Sequence, residues 1–228
     1  MNTGEYHSER RPIASREKKV SKRLAHLLIA WGISPNAISI AGMISGIGAG
    51  AAFGMTAMGW GHIGIHFAAA TLLMQLRLLA NMLDGMVAVG TGQASPAGEL
   101  YNEVPDRISD AAMLIGAGYA VGSAPALGYI AACLALFVAY LRAQGALVSG
   151  RQEFCGPMAK QQRVFVMTIA ALYSGFAPAE WQIDMPFYGS RQTMSVALVI
   201  VIAGIILTVF RRLNRIVAVL SEREDTGS

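Results

Sequence analysis

Apolar residues dominate six stretches of the chain, at about 36–58, 63–89, 99–122, 125–147, 161–176 and 191–213. Most are close to the roughly 20 residues needed to cross a hydrocarbon core, and the fifth is short. Polar segments separate them, among them the Gly- and Pro-containing GTGQASPAG. The pattern predicts an all-α integral membrane protein with six transmembrane helices. Before the first span, SREKKVSKRLAHLLIAWG sets Leu24, Leu27, Leu28 and Trp31 against Lys18, Lys19, Lys22 and Arg23. That face pattern predicts an amphipathic interfacial helix lying in the headgroup plane. Pro35 then sits at a helix start, where its missing donor is harmless. Three parts follow: a cytoplasmic basic segment with the interfacial helix (1–34), a six-helix transmembrane catalytic domain (35–213) and a cytoplasmic tail (214–228).

Composition agrees with this division. The chain is 54% hydrophobic and 14% charged, whereas soluble domains carry about 25% charged residues. A soluble class is excluded. The first 23 residues hold seven Lys or Arg but no short apolar core of the signal-peptide kind. The net charge of +4 therefore reads as membrane placement, with no nucleic-acid partner expected. Cys133 lies in an apolar run and Cys155 in a polar loop, which suggests neither a disulfide nor a thiolate metal site.

Basic residues set the expected topology. With the N-terminus in the cytoplasm, the inner side receives the N-terminal positives, then Arg151, Lys160 and Arg163, then Arg211, Arg212, Arg215 and Arg223. The outer connections near 59–62, 123–124 and 173–190 hold none, with Arg191 at the border of the last. This is the positive-inside distribution, and it predicts an inner-membrane, multi-pass protein with both termini in the cytoplasm. Trp181 and Tyr188 read as interfacial anchors on the opposite side. Gly42, Gly46, Gly48, Gly50 and Gly54 in the first span predict close helix packing.

Against that apolar background, the stretch NMLDGMVAVGTGQASPAGELYNEVPDRISD concentrates acids. Asn81, Asp84, Gly85 and Ala88 fall at offsets 0, 3, 4 and 7 and share one helix face. Gly98, Asn102, Asp106 and Asp110 are successive i,i+4 neighbours in the third span, with Glu99 and Glu103 on an adjoining stripe. A short loop joins the spans, so the two faces meet at the cytoplasmic membrane edge. Like charges there repel and lose solvation, and protonation, a basic partner or a bound cation can relieve them. Arg77 and Arg107 each offset one carboxylate at most. Oxygen ligands without His or Cys clusters favour Mg²⁺ or Mn²⁺, and such an ion points to phosphate or diphosphate chemistry. Other readings stay open: Glu99 and Glu103 also suit a solvated helix N-terminus, and Asp110 divides between the site and a pair with Arg107 or another helix.

These residues resemble the CDP-alcohol phosphotransferase (CDP-alcohol phosphatidyltransferase) family of membrane enzymes. Its motif has an Asp, Asp-Gly three residues on, Ala-Arg, a Gly, and two Asp four apart. The matching positions are Asn81, Asp84, Gly85, Ala88, Val89, Gly98, Asn102 and Asp106, with every interval kept. WGISPNAISIAG and GPMAKQQRV are similar to further segments of the family. The resemblance implies six transmembrane helices, a homodimer, and transfer of a phosphatidyl group from a CDP-linked lipid, such as CDP-diacylglycerol, to an alcohol with release of CMP. It implies metal ligation by Asp84 and Asp106, Asp106 as general base, and a nucleotide site lined by Gly85, Ala88 and Gly98.

The departures matter. Asn81 and Asn102 stand where the family has Asp, and Val89 where it has an Arg that the resemblance assigns to the nucleotide's diphosphate. An amide keeps an oxygen but removes a unit charge. One metal binds, or Glu99, Glu103 or Asp110 takes over ligation, or turnover is lost; Arg107 or Arg77 is a candidate to replace the arginine. Arg142, Lys160 and Arg163 read either as positive-inside anchors or as a pocket for a phosphorylated alcohol. His62 and His66 read as structural, and His26, in the surface helix, has no obvious chemical role. The rival readings are an inactive relative that binds nucleotide-lipid or metal, and a small cation- or proton-coupled transporter.

Overall fold

A computed structural model describes residues 19–93, 96–150, 155–183 and 192–226. The expectations for Tyr188, Arg191, Arg151 and the basic residues before Lys19 lie outside them. The described residues form seven α-helices and no strand: α1 (Lys19–Ala30), α2 (Pro35–Met55), α3 (Ile63–Gly90), α4 (Pro96–Gly118), α5 (Pro125–Ser149), α6 (Lys160–Phe176) and α7 (Thr193–Thr226).

Local chemistry sets several ends. Ser34 caps α2, its side chain accepting from the Ala37 amide at 3.2 Å, with Pro35 at the first turn. His62 caps α3 by accepting from the Gly64 amide at 3.2 Å. Gly150 ends α5 in the left-handed conformation, at φ 67°. Four helices are long and apolar enough to cross a membrane: Pro35–Met55, Ile63–Gly90, Pro125–Ser149 and the Thr193–Ser221 part of α7. Of the other two expected spans, α4 carries the acids and α6 has 17 residues. Exposed Ile40, Ile44, Ile47, Leu72, Phe137 and Ile200 leave much of the helical surface apolar. A soluble monomer does not present apolar surface on this scale. The chain is a multi-pass membrane protein.

The six long helices close a ring. α2 packs on α3 and α4, α3 on α6, α6 on α7, α7 on α5, and α5 back on α4. Phe53, Phe67, Met74, Met113, Leu114, Met167 and Leu198 fill its centre. Small residues on α2 bring the site-bearing helices close. A Cβ on Gly46 would overlap Ser109 of α4, and one on Gly42 would lie 2.9 Å from the Ala80 Cβ of α3. Outside the ring, α1 lies against α3, where Ala25, Ile38, Met82, Leu83 and Val87 form a second apolar cluster.

Two ends differ from the apolar stretches. α4 stops at Gly118, before a turn through Gly122 with φ 67°. α7 runs 13 residues past the apolar limit at 213, to Thr226. Its extension is amphipathic, with Ile216 buried against Gly145 of α5. Hydropathy reports where apolar surface ends, and a helix can continue beyond it.

Candidate active site

α3 ends where α4 begins, so the acids collect at one end of the ring. There the matching positions meet in two crossed pairs. The Asn81 amide of α3 donates to both carboxylate oxygens of Asp106 on α4, at 3.1 and 3.1 Å. Asp84 of α3 and Asn102 of α4 share the hydroxyl of Ser39 on α2, which lies 2.9 Å from Asp84 Oδ2 and 3.3 Å from Asn102 Oδ1. Each pair holds one acid and one amide, which removes the repulsion two facing carboxylates would suffer.

The remaining acids meet basic partners. Asp106 is ion-paired with Arg77, and Lys160 Nζ lies 2.6 Å from its Oδ2. Arg77 is buried, also donates from Nε to Ser109 at 2.5 Å, and reaches Asp110 at 4.0 Å. Asp110 pairs with Arg163 at 2.9 Å, both buried. Glu103, half-exposed, is held by Arg107 and Arg142. Lys160 and Arg163 arrive on α6 because α7 fixes the chain before it. There Thr208 accepts from the Met158 amide at 3.0 Å, and Arg212 donates to the Cys155 carbonyl at 3.0 Å.

Asp84 differs from these. Its relative exposure is 3%, and among the described residues it has no ion pair; it accepts from Ser39 and from its own neighbour, the Gly85 amide. A buried carboxylate without a cation is unfavourable. Its surroundings offer oxygen donors, as a hard divalent ion requires. Asp106 already carries two basic groups, and among the described residues no three His, Cys, Asp or Glu side chains form a metal-binding group. The residues present thus fit a single hard ion beside Asp84 better than a pair.

The sequence-predicted residues fall into four groups. Asn81, Asp84, Asn102 and Asp106 come together. Asp110, with Arg163, lies in a buried ion pair on the turn beyond Asp106, and Glu103 sits with Arg107 and Arg142 on the more exposed side. Gly85 and Val89 line a cavity of about 330 Å³ against α1, whereas Ala88 and Gly98 are half-buried nearby along the chain. The Glu99 side chain lies outside the description. Sequence reasoning missed Ser39 and Ser109. The one available signal was that Ser39 shares a face with Gly42 and Gly46 on α2. His62 and His66 lie at the far end of α3, where His62 caps the helix and His66 meets the Trp60 carbonyl.

No family model matches the chain. It is 24% identical over 205 residues to a phosphatidylinositol phosphate synthase of Mycolicibacterium smegmatis, across 87% of this chain and 84% of that protein. It is 33% identical over 105 residues to an archaetidylinositol phosphate synthase of Aeropyrum pernix, across 46% of this chain and 54% of that protein. Two crystal structures of the Mycobacterium tuberculosis phosphatidylinositol phosphate synthase share the fold. One, with CDP-DAG bound, has a TM-score of 0.68 at 20% identity and covers 87% of this chain and 94% of that one. The other, in complex with manganese and citrate, has a TM-score of 0.68 at 22% identity and covers 86% and 88%.

Proposed function

We propose that this chain, which belongs to the CDP-alcohol phosphatidyltransferase family, transfers a phosphatidyl group from a CDP-linked lipid to an alcohol and releases CMP. The observation that carries the reading is the meeting of Asn81 with Asp106, and of Asp84 with Asn102 through Ser39, at one end of the helix ring. The relatives with CDP-DAG and manganese bound support a CDP-lipid donor and a Mg²⁺ or Mn²⁺ cofactor.

Asp84, with the amide oxygens of Asn81 and Asn102, would hold the ion. When bound, it would polarise the diphosphate. Asp106 accepts the alcohol's proton as the oxygen attacks the β-phosphorus; the new O–P bond forms and the P–O bond to CMP breaks. Arg77 holds the Asp106 carboxylate in place from below. Lys160, less buried than Arg163, is the cation able to turn from Asp106 toward a phosphorylated acceptor. Gly85, Ala88 and Gly98 leave room for the nucleotide end.

The same reading has six spans, with α4 and α6 crossing beside the four more apolar helices, and α1 lying at the interface. Both termini and the site face the cytoplasm at the inner membrane, and two copies form a homodimer. The distribution of basic residues supports the orientation.

A second reading, a relative that binds nucleotide-lipid or metal without turnover, is favoured by the two basic groups already committed to Asp106. The deciding assay incubates purified protein with labelled CDP-diacylglycerol, Mg²⁺ or Mn²⁺, and a panel of free and phosphorylated alcohols. CMP release should fall at least about 100-fold in Asp106→Ala, the usual range for losing a general base. It should also vanish with chelator and persist in His66→Ala. Binding of CDP-diacylglycerol with no CMP from any acceptor would favour the second reading.

A further inference from the structure

Val89 occupies the position at which the family carries an arginine, and 62% of its surface is exposed. The nearby basic side chains are committed elsewhere: Arg77 to Asp106, Arg107 and Arg142 to Glu103, Lys160 to Asp106 and Arg163 to Asp110. Val89 opens into the cavity of about 330 Å³, whose opposite wall is α1. Lys22, Ala25 and His26 of α1 face Gly85, Val89 and Gly90 of α3 across it. Positions 22, 25 and 26 fall on one helix face, as do 85 and 89. Ala25 is buried in the apolar cluster between the two helices, and a Cβ on Gly90 would lie 2.8 Å from Ile29 Cδ1. The wall bearing Lys22 is thereby seated on α3. Among the described residues no carboxylate pairs with Lys22.

Resting on the functional reading above, we infer that Lys22, supported by His26, supplies from α1 the positive charge that Val89 no longer supplies from α3, and grips the diphosphate of the CDP-linked lipid. An ammonium is a point charge with three donors, suited to phosphate oxygens without the two-pronged geometry of arginine. Ala25, Ile29, Met86 and Val89 make the rest of the wall apolar, so polar side-chain contacts to a phosphate in this cavity fall to Lys22 and His26. His26 adds a ring nitrogen one turn further along α1. In this arrangement α1 is a working wall of the donor site as well as a membrane contact.

The test is a charge relocation. In the purified full-length chain, Lys22→Ala should raise the KM for CDP-diacylglycerol about tenfold, the scale of one hydrogen bond to a charged group, with kcat changed less than about twofold. Arg23→Ala removes the same charge from the adjacent residue, outside the cavity, and should leave KM unchanged. Adding Val89→Arg to Lys22→Ala should restore the KM toward that of the unaltered chain. Direct titration with CDP-diacylglycerol and with phosphatidic acid, in detergent, separates a diphosphate contact from general attraction to anionic lipid. Weakening confined to the CDP-lipid supports the assignment; equal weakening of both, an unchanged KM in Lys22→Ala, or no recovery with Val89→Arg overturns it. Those failures leave CMP release by the unaltered chain intact, whereas a chain that neither binds nor turns over CDP-diacylglycerol overturns the functional reading together with this inference.

Discussion

At the scale of single residues, the crossed acid–amide pairs decide how the site behaves without its ion. The Ser39 hydroxyl serves Asp84 at 2.9 Å and lies 3.3 Å from Asn102 Oδ1, and Asn81 donates to Asp106. These contacts hold α2, α3 and α4 together with no cation required. Asn102→Asp should therefore strengthen ion binding and weaken the ion-free fold. With a second carboxylate beside Asp84, the Mn²⁺ concentration for half-saturation should drop about tenfold, the effect of one nearby charge on ion binding. In chelator, the melting temperature should drop as well, because the two acids now repel. Mn²⁺ titration followed by thermal melts with and without EDTA checks both; an unchanged Mn²⁺ midpoint would remove Asn102 from the ion's surroundings. Ser39→Ala deprives buried Asp84 of one of its two donors, and should cost about 1–3 kcal/mol in chelator.

Between elements, the buried contact of Arg163 with Asp110, extended by Arg77, ties α6 and α3 to α4. Removing Arg163 leaves buried Asp110 with only the longer 4.0 Å contact to Arg77 among its ion pairs in the described residues. Arg163→Met should cost about 3–5 kcal/mol, whereas pairing it with Asp110→Leu should recover most of that loss. Denaturant melts of the two single variants and the double variant give the coupling; an additive double variant would mean the pair contributes little. These ties also mark how far the sequence reaches. The six apolar stretches correspond in position to α2 through α7, and in four of those helices the apolar run is long enough for a membrane crossing. The motif spacing put Asn81 with Asp84, and Asn102 with Asp106, on single faces through helical geometry. The partners were not legible. Which way α3 and α4 turn depends on contacts such as Gly42 with Ala80 and Gly46 with Ser109, and Asp110 meets Arg163 across 53 residues of chain. Helical periodicity gives a residue's face, but the neighbouring helix decides what that face meets.

For the molecule as a whole, orientation is the property on which access to water-soluble acceptors depends. The two cysteines provide a direct reading. Cys133 is on α5 within the apolar run, and Cys155, partly exposed, lies in the connection to α6 at the site end. A membrane-impermeant maleimide should label Cys155 in inverted vesicles and not in right-side-out ones, with Cys133→Ser assigning the signal. The reverse pattern would turn the protein over. α7 is the longest helix, with 34 residues. Its apolar part to 213 spans about 30 Å at 1.5 Å per residue, the thickness of a hydrocarbon core. The remaining residues to Thr226 then rise about 20 Å further as a stiff mast. A fluorescent reporter fused to the C-terminus would ride at the top of that mast, and energy transfer to a dye in the lipid would measure its height.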